Sequence, residues 1–170
     1  MSHAKNKVDW CLKKAEKELL EGHAQRGLVK IEPNKQQALS HTAKAEHDLR
    51  AGIEFAKSGF SDWSASAFFY SMYQSFLAIA AKFGYESGNQ ECTFALMHSL
   101  VEEKKIDFEK SMLDKIASLD MQEAGREITS VKAREKYQYG TELSIDDNLY
   151  EELLNLAKKI LSKTKEIIEE

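Results

Sequence analysis

The stretch "KAREKYQYGTE", residues 132 to 142, sets an arginine, two tyrosines and a glycine at what reads as the end of a helix. A guanidinium is always charged and offers a planar fork of donors, so Arg134 is suited to holding a phosphate or carboxylate through two bonds at once. On a helix, Arg126, Ser130, Arg134 and Tyr137 follow one another at spacings of four, four and three, which places them on a single face able to grip such a group. Proton transfer is harder to supply. Five residues beyond Arg134 stands Tyr139, and a phenol with an ordinary pKa of about 10 is a poor general base at neutral pH. The plainer reading of the same stretch is a helix stopping: Arg134 on the terminal carbonyls, Tyr137 and Tyr139 packed on the bundle, and Gly140 as the cap.

Other constellations carry less chemistry. His41 and His47 are six apart, hence on different helix faces, and the chain has no HExxH or comparable ligand spacing, so no metal site and no cofactor is expected. His98 reads as a packed or surface histidine. Neither GxGxxG nor GxxxxGK[ST] occurs, which disfavours the familiar nucleoside-triphosphate enzymes. Cys11 and Cys92 stand alone with no CxxC pair, and are expected to be thiols rather than members of a disulfide framework or a zinc ribbon.

The 170 residues suit one domain, taken as 1–34 (a helix and connector) followed by a core bundle over 35–170. With 42% hydrophobic and 31% charged residues the composition is that of a globular chain. The 28 acidic and 24 basic residues are intermixed, so no broad basic field exists for non-specific nucleic-acid binding. The start, "MSHAKNKVDWCLKK", lacks the apolar centre of a signal peptide, and "FLAIAAKF" is too short to span a bilayer. A cytoplasmic protein without a membrane partner is expected.

One proline, few glycines and apolar residues at three- and four-residue spacing predict an all-α bundle of five or six helices. The first is expected over Val8 to Leu20, ended by Gly22; the second from after Pro33 and Asn34 through Ser58, with Ala38, Leu39, Ala45, Leu49, Ile53 and Ala56 inward. The third, after Ser61 and before Gly84, is apolar on nearly every side and so central. Its small residues Ser64, Ala67, Ser71, Ser75 and Ala78 would admit a close neighbour. A shorter helix is expected over Thr93 to Glu103, another from Phe108 to about Tyr137 with Met121, Gln122 and Gly125 as possible interruptions. The last is capped by Ser144 with Asp147, and buries Leu149, Leu153, Leu156, Ile160, Leu161 and Ile167. No strong strand pattern is visible.

The order of "AEHDLRAGI" at Ala45 to Ile53, the aromatic run Phe68 to Tyr73, "GYE" at Gly84 to Glu86 and "AREKYQYG" at Ala133 to Gly140 resembles the HEPN domains, the higher-eukaryote and prokaryote nucleotide-binding family. The resemblance implies a small up-down helical bundle, commonly a homodimer, of prokaryotic toxin–antitoxin and defence systems and often beside a minimal nucleotidyltransferase. Catalytic members are metal-independent ribonucleases that pair an arginine with a histidine four to six residues on, near a dimer cleft. Here Arg134 takes the arginine's place, but Tyr139 stands in the histidine's, no histidine follows His98, and Ala67 and Gln74 occupy positions where many relatives carry a further arginine and histidine. The expectation is therefore a non-catalytic protein acting by association with a nucleotide, RNA or protein partner. The alternative is an RNA endonuclease that uses Arg134 with a substitute acid/base such as Tyr139.

Overall fold

The computed structural model describes residues 2–24, 27–117 and 128–170. Over these the chain is an all-α bundle of seven helices, not five or six: α1 His3–Leu20, α2 Lys35–Lys57, α3 Ser64–Lys82, α4 Gln90–Glu102, α5 Lys110–Ile116, α6 Ser130–Tyr139 and α7 Asp147–Glu169, with a 3₁₀ turn Ser61–Trp63 leading into α3. Local chemistry starts five of the helices. Ser2, Asn34, Asn89, Thr129 and Asp146 each accept a hydrogen bond from the backbone N–H three residues on, satisfying a donor that helix geometry leaves unpaired. The cap of α7 is thus Asp146, not Ser144. The chain ahead of it is held from outside, because Ile145 N donates to Ser61 Oγ and Asp146 N to the Tyr137 hydroxyl.

At the centre lies α3, thirteen of whose nineteen residues are buried. Small residues on its α2 side let the two backbones approach. Ser64 Oγ donates to Gly52 O at 2.7 Å and Ser71 Oγ to Ala45 O at 2.8 Å, so the helices run antiparallel with hydroxyls bonded directly across the seam. On its other sides Phe69, Phe76, Phe94 and Phe108 join edge to face, Phe76 lying 6.1 Å from Phe94 and 6.2 Å from Phe108 between ring centroids. From α7, Leu153, Ile160, Leu161 and Ile167 are buried as the helical spacing requires, while Leu149 and Leu156 are half-buried. On α2, Ala38 and Ala45 are fully buried, but Leu39 faces outward at 45% exposure.

Three further features differ from the sequence reading. Leu28–Lys30 (β1) and Tyr85–Ser87 (β2) pair antiparallel, with Val29 opposite Glu86. The connector reaches this position because Ile31 N donates to Gly84 O and Asn34 N to Ala81 O. Gly84 makes the turn: its φ is +79°, and a Cβ there would lie 2.9 Å from Ile31 O. Second, the helix expected from Phe108 to Tyr137 is instead the separate α5 and α6; Met121, Gln122 and Gly125 lie outside the described residues. Third, Cys11 and Cys92 are not thiols but a disulfide between α1 and the first turn of α4, with both residues buried.

Candidate functional site

Helix α6 packs on α3 through Ala133 and Tyr137, and this contact decides which of its polar groups reach the surface. Ser130 is buried and its hydroxyl donates to Lys115 O of α5 at 3.4 Å. Tyr137 is buried too, its hydroxyl receiving Asp146 N at the start of α7. Both join helices together. Tyr139 projects into solvent at 77% exposure instead of packing on the bundle, and Gly140 caps α6, its N–H donating to Lys136 O. Arg126 lies outside the described residues.

Arg134 does something the helix-end reading did not foresee. Its guanidinium lies over the Phe69 ring, 4.7 Å from the centroid, and one Nη donates to the Tyr70 hydroxyl at 3.4 Å. The other Nη is 3.7 Å from the exposed Glu135 carboxylate. Its side chain is only 12% exposed, so the cation is held over an aromatic ring, with its Nη groups at Tyr70 and Glu135 and its Nε buried without a partner. Beside it Tyr70 is 38% exposed, and Trp63, at the end of the 3₁₀ turn that leads into α3, is 50% exposed. The Glu135 carboxylate is exposed, and an incoming anion would compete with it for that Nη.

A neighbouring pair was invisible in the sequence. His41 of α2 donates from Nδ1 to Gln74 Oε1 of α3 at 2.7 Å, and Gln74 lies one helical turn from Tyr70. His47 is elsewhere, 3.3 Å from Asp48, to which Lys44 also bonds. Among the described residues, no group of three or more His, Cys, Asp or Glu side chains is placed to hold a metal, and no helix is long and apolar enough to cross a membrane.

His98 lies inside, facing α5. Its Nε2 is 3.8 Å from the Asp114 carboxylate, and burial pushes its pKa down, against the raising effect of Asp114 and of Glu102 on its own helix, with Lys110 adding to the lowering. A histidine whose folded pKa lies below its unfolded value binds fewer protons in the native state, so stability is lost as pH falls through the ordinary histidine range. Between about pH 7 and 5, the His98→Gln variant should lose part of the wild-type decline in unfolding free energy, which for one proton is at most about 1.4 kcal/mol per pH unit. Glu103 acts in a lower window, since Lys105 and Lys5 hold its carboxyl at about 2. Equal slopes for the two proteins above pH 5 would show that His98 titrates alike folded and unfolded.

Comparison with protein-family models and with curated proteins returned no match.

Proposed function

We propose that this chain is a HEPN-type helical protein that acts by association rather than turnover, as a homodimer that presents Arg134 to a phosphate-bearing ligand, a nucleotide or RNA, or to an acidic protein partner. The resemblance that suggests it also implies a toxin–antitoxin setting and a minimal nucleotidyltransferase as companion. The observation that carries the binding reading is the stacked guanidinium. Phe69 and Tyr70 fix Arg134 in one orientation before any ligand arrives, so little side-chain entropy is lost on binding. Its described hydrogen-bond, ion-pair and ring partners are Tyr70, Glu135 and Phe69, with no imidazole among them. The exposed rings of Phe60, Trp63 and Tyr70 supply apolar area for a protein contact.

The test is binding of a labelled RNA pool and of nucleotides to wild type and Arg134→Ala. Losing a charged bidentate donor should weaken binding about 10- to 100-fold, while the thermal midpoint moves little. Unchanged affinity with a large loss of stability would make Arg134 purely structural. Light scattering at high micromolar concentration should give a dimer, and a monomer there would remove that part of the reading.

A second reading is metal-independent endoribonuclease chemistry with Arg134 and a substitute acid/base. The His41–Gln74 pair favours it, because His41 bonds Gln74, one α3 turn from the tyrosine that Arg134 bonds, and so supplies an imidazole on that side of α3. RNA incubated with the protein in EDTA should remain intact under the binding reading. Cleavage that disappears in both Arg134→Ala and His41→Gln would replace it.

A further inference from the structure

We propose that the Cys11–Cys92 disulfide is a redox latch on helix α1, opened by a small or protein dithiol. The bond joins residues 81 apart in sequence and ties α1 to the first turn of α4. Without it the hold on α1 is slight. The helix buries only Ala4, Val8, Cys11 and Ala15, two of them alanines, and leaves Trp10, Leu19 and Leu20 exposed. Its ion pairs to α4 and the following turn, Lys7–Glu91 and Lys5–Glu103, are at the surface, where such pairs contribute little. By contrast α3, α4 and α7 supply most of the apolar core, to which α1 adds only Val8 and Cys11 with Leu12 against them, while α2 is bonded to α3 through Ser64 and Ser71. Cutting the cross-link therefore loosens one element and leaves the rest.

Both cysteines are buried, at 1% and 4% exposure, so a reductant reaches them only when α1 lifts. A thiolate of the dithiol attacks Cys11 Sγ, the S–S bond breaks, and Cys92 leaves as a thiolate. That direction is favoured because Cys92 occupies the N-terminal turn of α4, where the helix dipole stabilises negative charge. Cys92 then takes up a proton. The second thiol of the reductant attacks the mixed disulfide, releasing Cys11 as a thiol and closing the reductant into its own disulfide. Two electrons pass from the dithiol to the protein, and two thiols are regained for the two consumed. Re-docking remains possible, since paired thiols still pack as small apolar groups, but α1 now opens independently and uncovers the flanks of α4 and β1 on which it lies.

The experiment is hydrogen exchange read by mass spectrometry on the full chain, oxidised, then reduced with dithiothreitol, beside a Cys11→Ala/Cys92→Ala variant without reductant. Protection of α1 amides should fall on the order of 100-fold on reduction, as expected when a cross-link closing a long loop is removed, and the variant should match the reduced protein. Amides of α3 should keep their protection in all three, which shows that the bundle is intact. Trapping during reduction should find the mixed disulfide on Cys11. Two free thiols in the air-oxidised, denatured protein would overturn the proposal. So would α1 protection that reduction leaves unchanged, or loss of α3 protection along with α1.

Discussion

Replacing Phe76 with alanine should destabilise the protein by about 3–5 kcal/mol, with the denaturation midpoint falling and the dependence on denaturant unchanged. Phe76 is fully buried in the central helix, and two rings from other parts of the chain, Phe94 of α4 and Phe108 before α5, stand edge-on to it. Removing it deletes the transfer free energy of a whole ring and both aromatic pairings at once. The hole cannot close easily, because α3 is fixed on its opposite side by the Ser64 and Ser71 bonds to α2. Domains of this size are stable by roughly 5–15 kcal/mol, so the variant should be close to unfolding at physiological temperature. Phe55→Ala supplies the contrast: at 39% exposure its loss should be about 1 kcal/mol or less. Similar costs for the two would mean that the aromatic cluster is not the tightly filled centre described above.

Gly52→Ala should also destabilise, although alanine is the better helix former by about 1 kcal/mol. A Cβ at this position would stand 2.5 Å from Phe68 Cε1 and 2.7 Å from Cδ1. Retreat of that ring is blocked, since Phe68 is fully buried and backed by Tyr150 of α7 at 5.4 Å. Relief must come from separating α2 and α3, which stretches the bond from Ser64 to Gly52 O. Overpacking of this kind costs about 1–3 kcal/mol and should exceed the gain in propensity. Equilibrium unfolding in urea decides the sign, and a stabilised variant would show that the seam has room the geometry denies.

Much of the fold was legible because helices advertise themselves locally. α3 is apolar on every side and turned out central; α7 repeats its apolar residues at the helical spacing and buries that stripe; Asn34 after Pro33 starts α2 as its chemistry requires. The missed elements depend on distant partners. Each strand has three residues, too few for an alternation to show, and exists only because residues 28–30 find 85–87 across the fold. Ser144 and Asp146 are both able to cap a helix, and the choice between them is made by Ser61 and Tyr137, which hold the backbone just ahead of α7.

The candidate site divides along the same line. By itself the sequence determined that Ser130, Arg134 and Tyr137 share a helix, that Gly140 ends it, and that no histidine follows to accompany the arginine. Tertiary structure alone decided that Ser130 and Tyr137 turn inward as fasteners to α5 and α7, that Arg134 lies on Phe69 beside the Tyr70 hydroxyl, and that His41 is held by Gln74 a turn away. It likewise decided that Cys11 and Cys92, 81 residues apart, are bonded. The physical reason is range: helix propensity, capping and periodicity act within a few residues, whereas which face of α6 meets α3, and which thiol meets which, follow from how the helices share one apolar core.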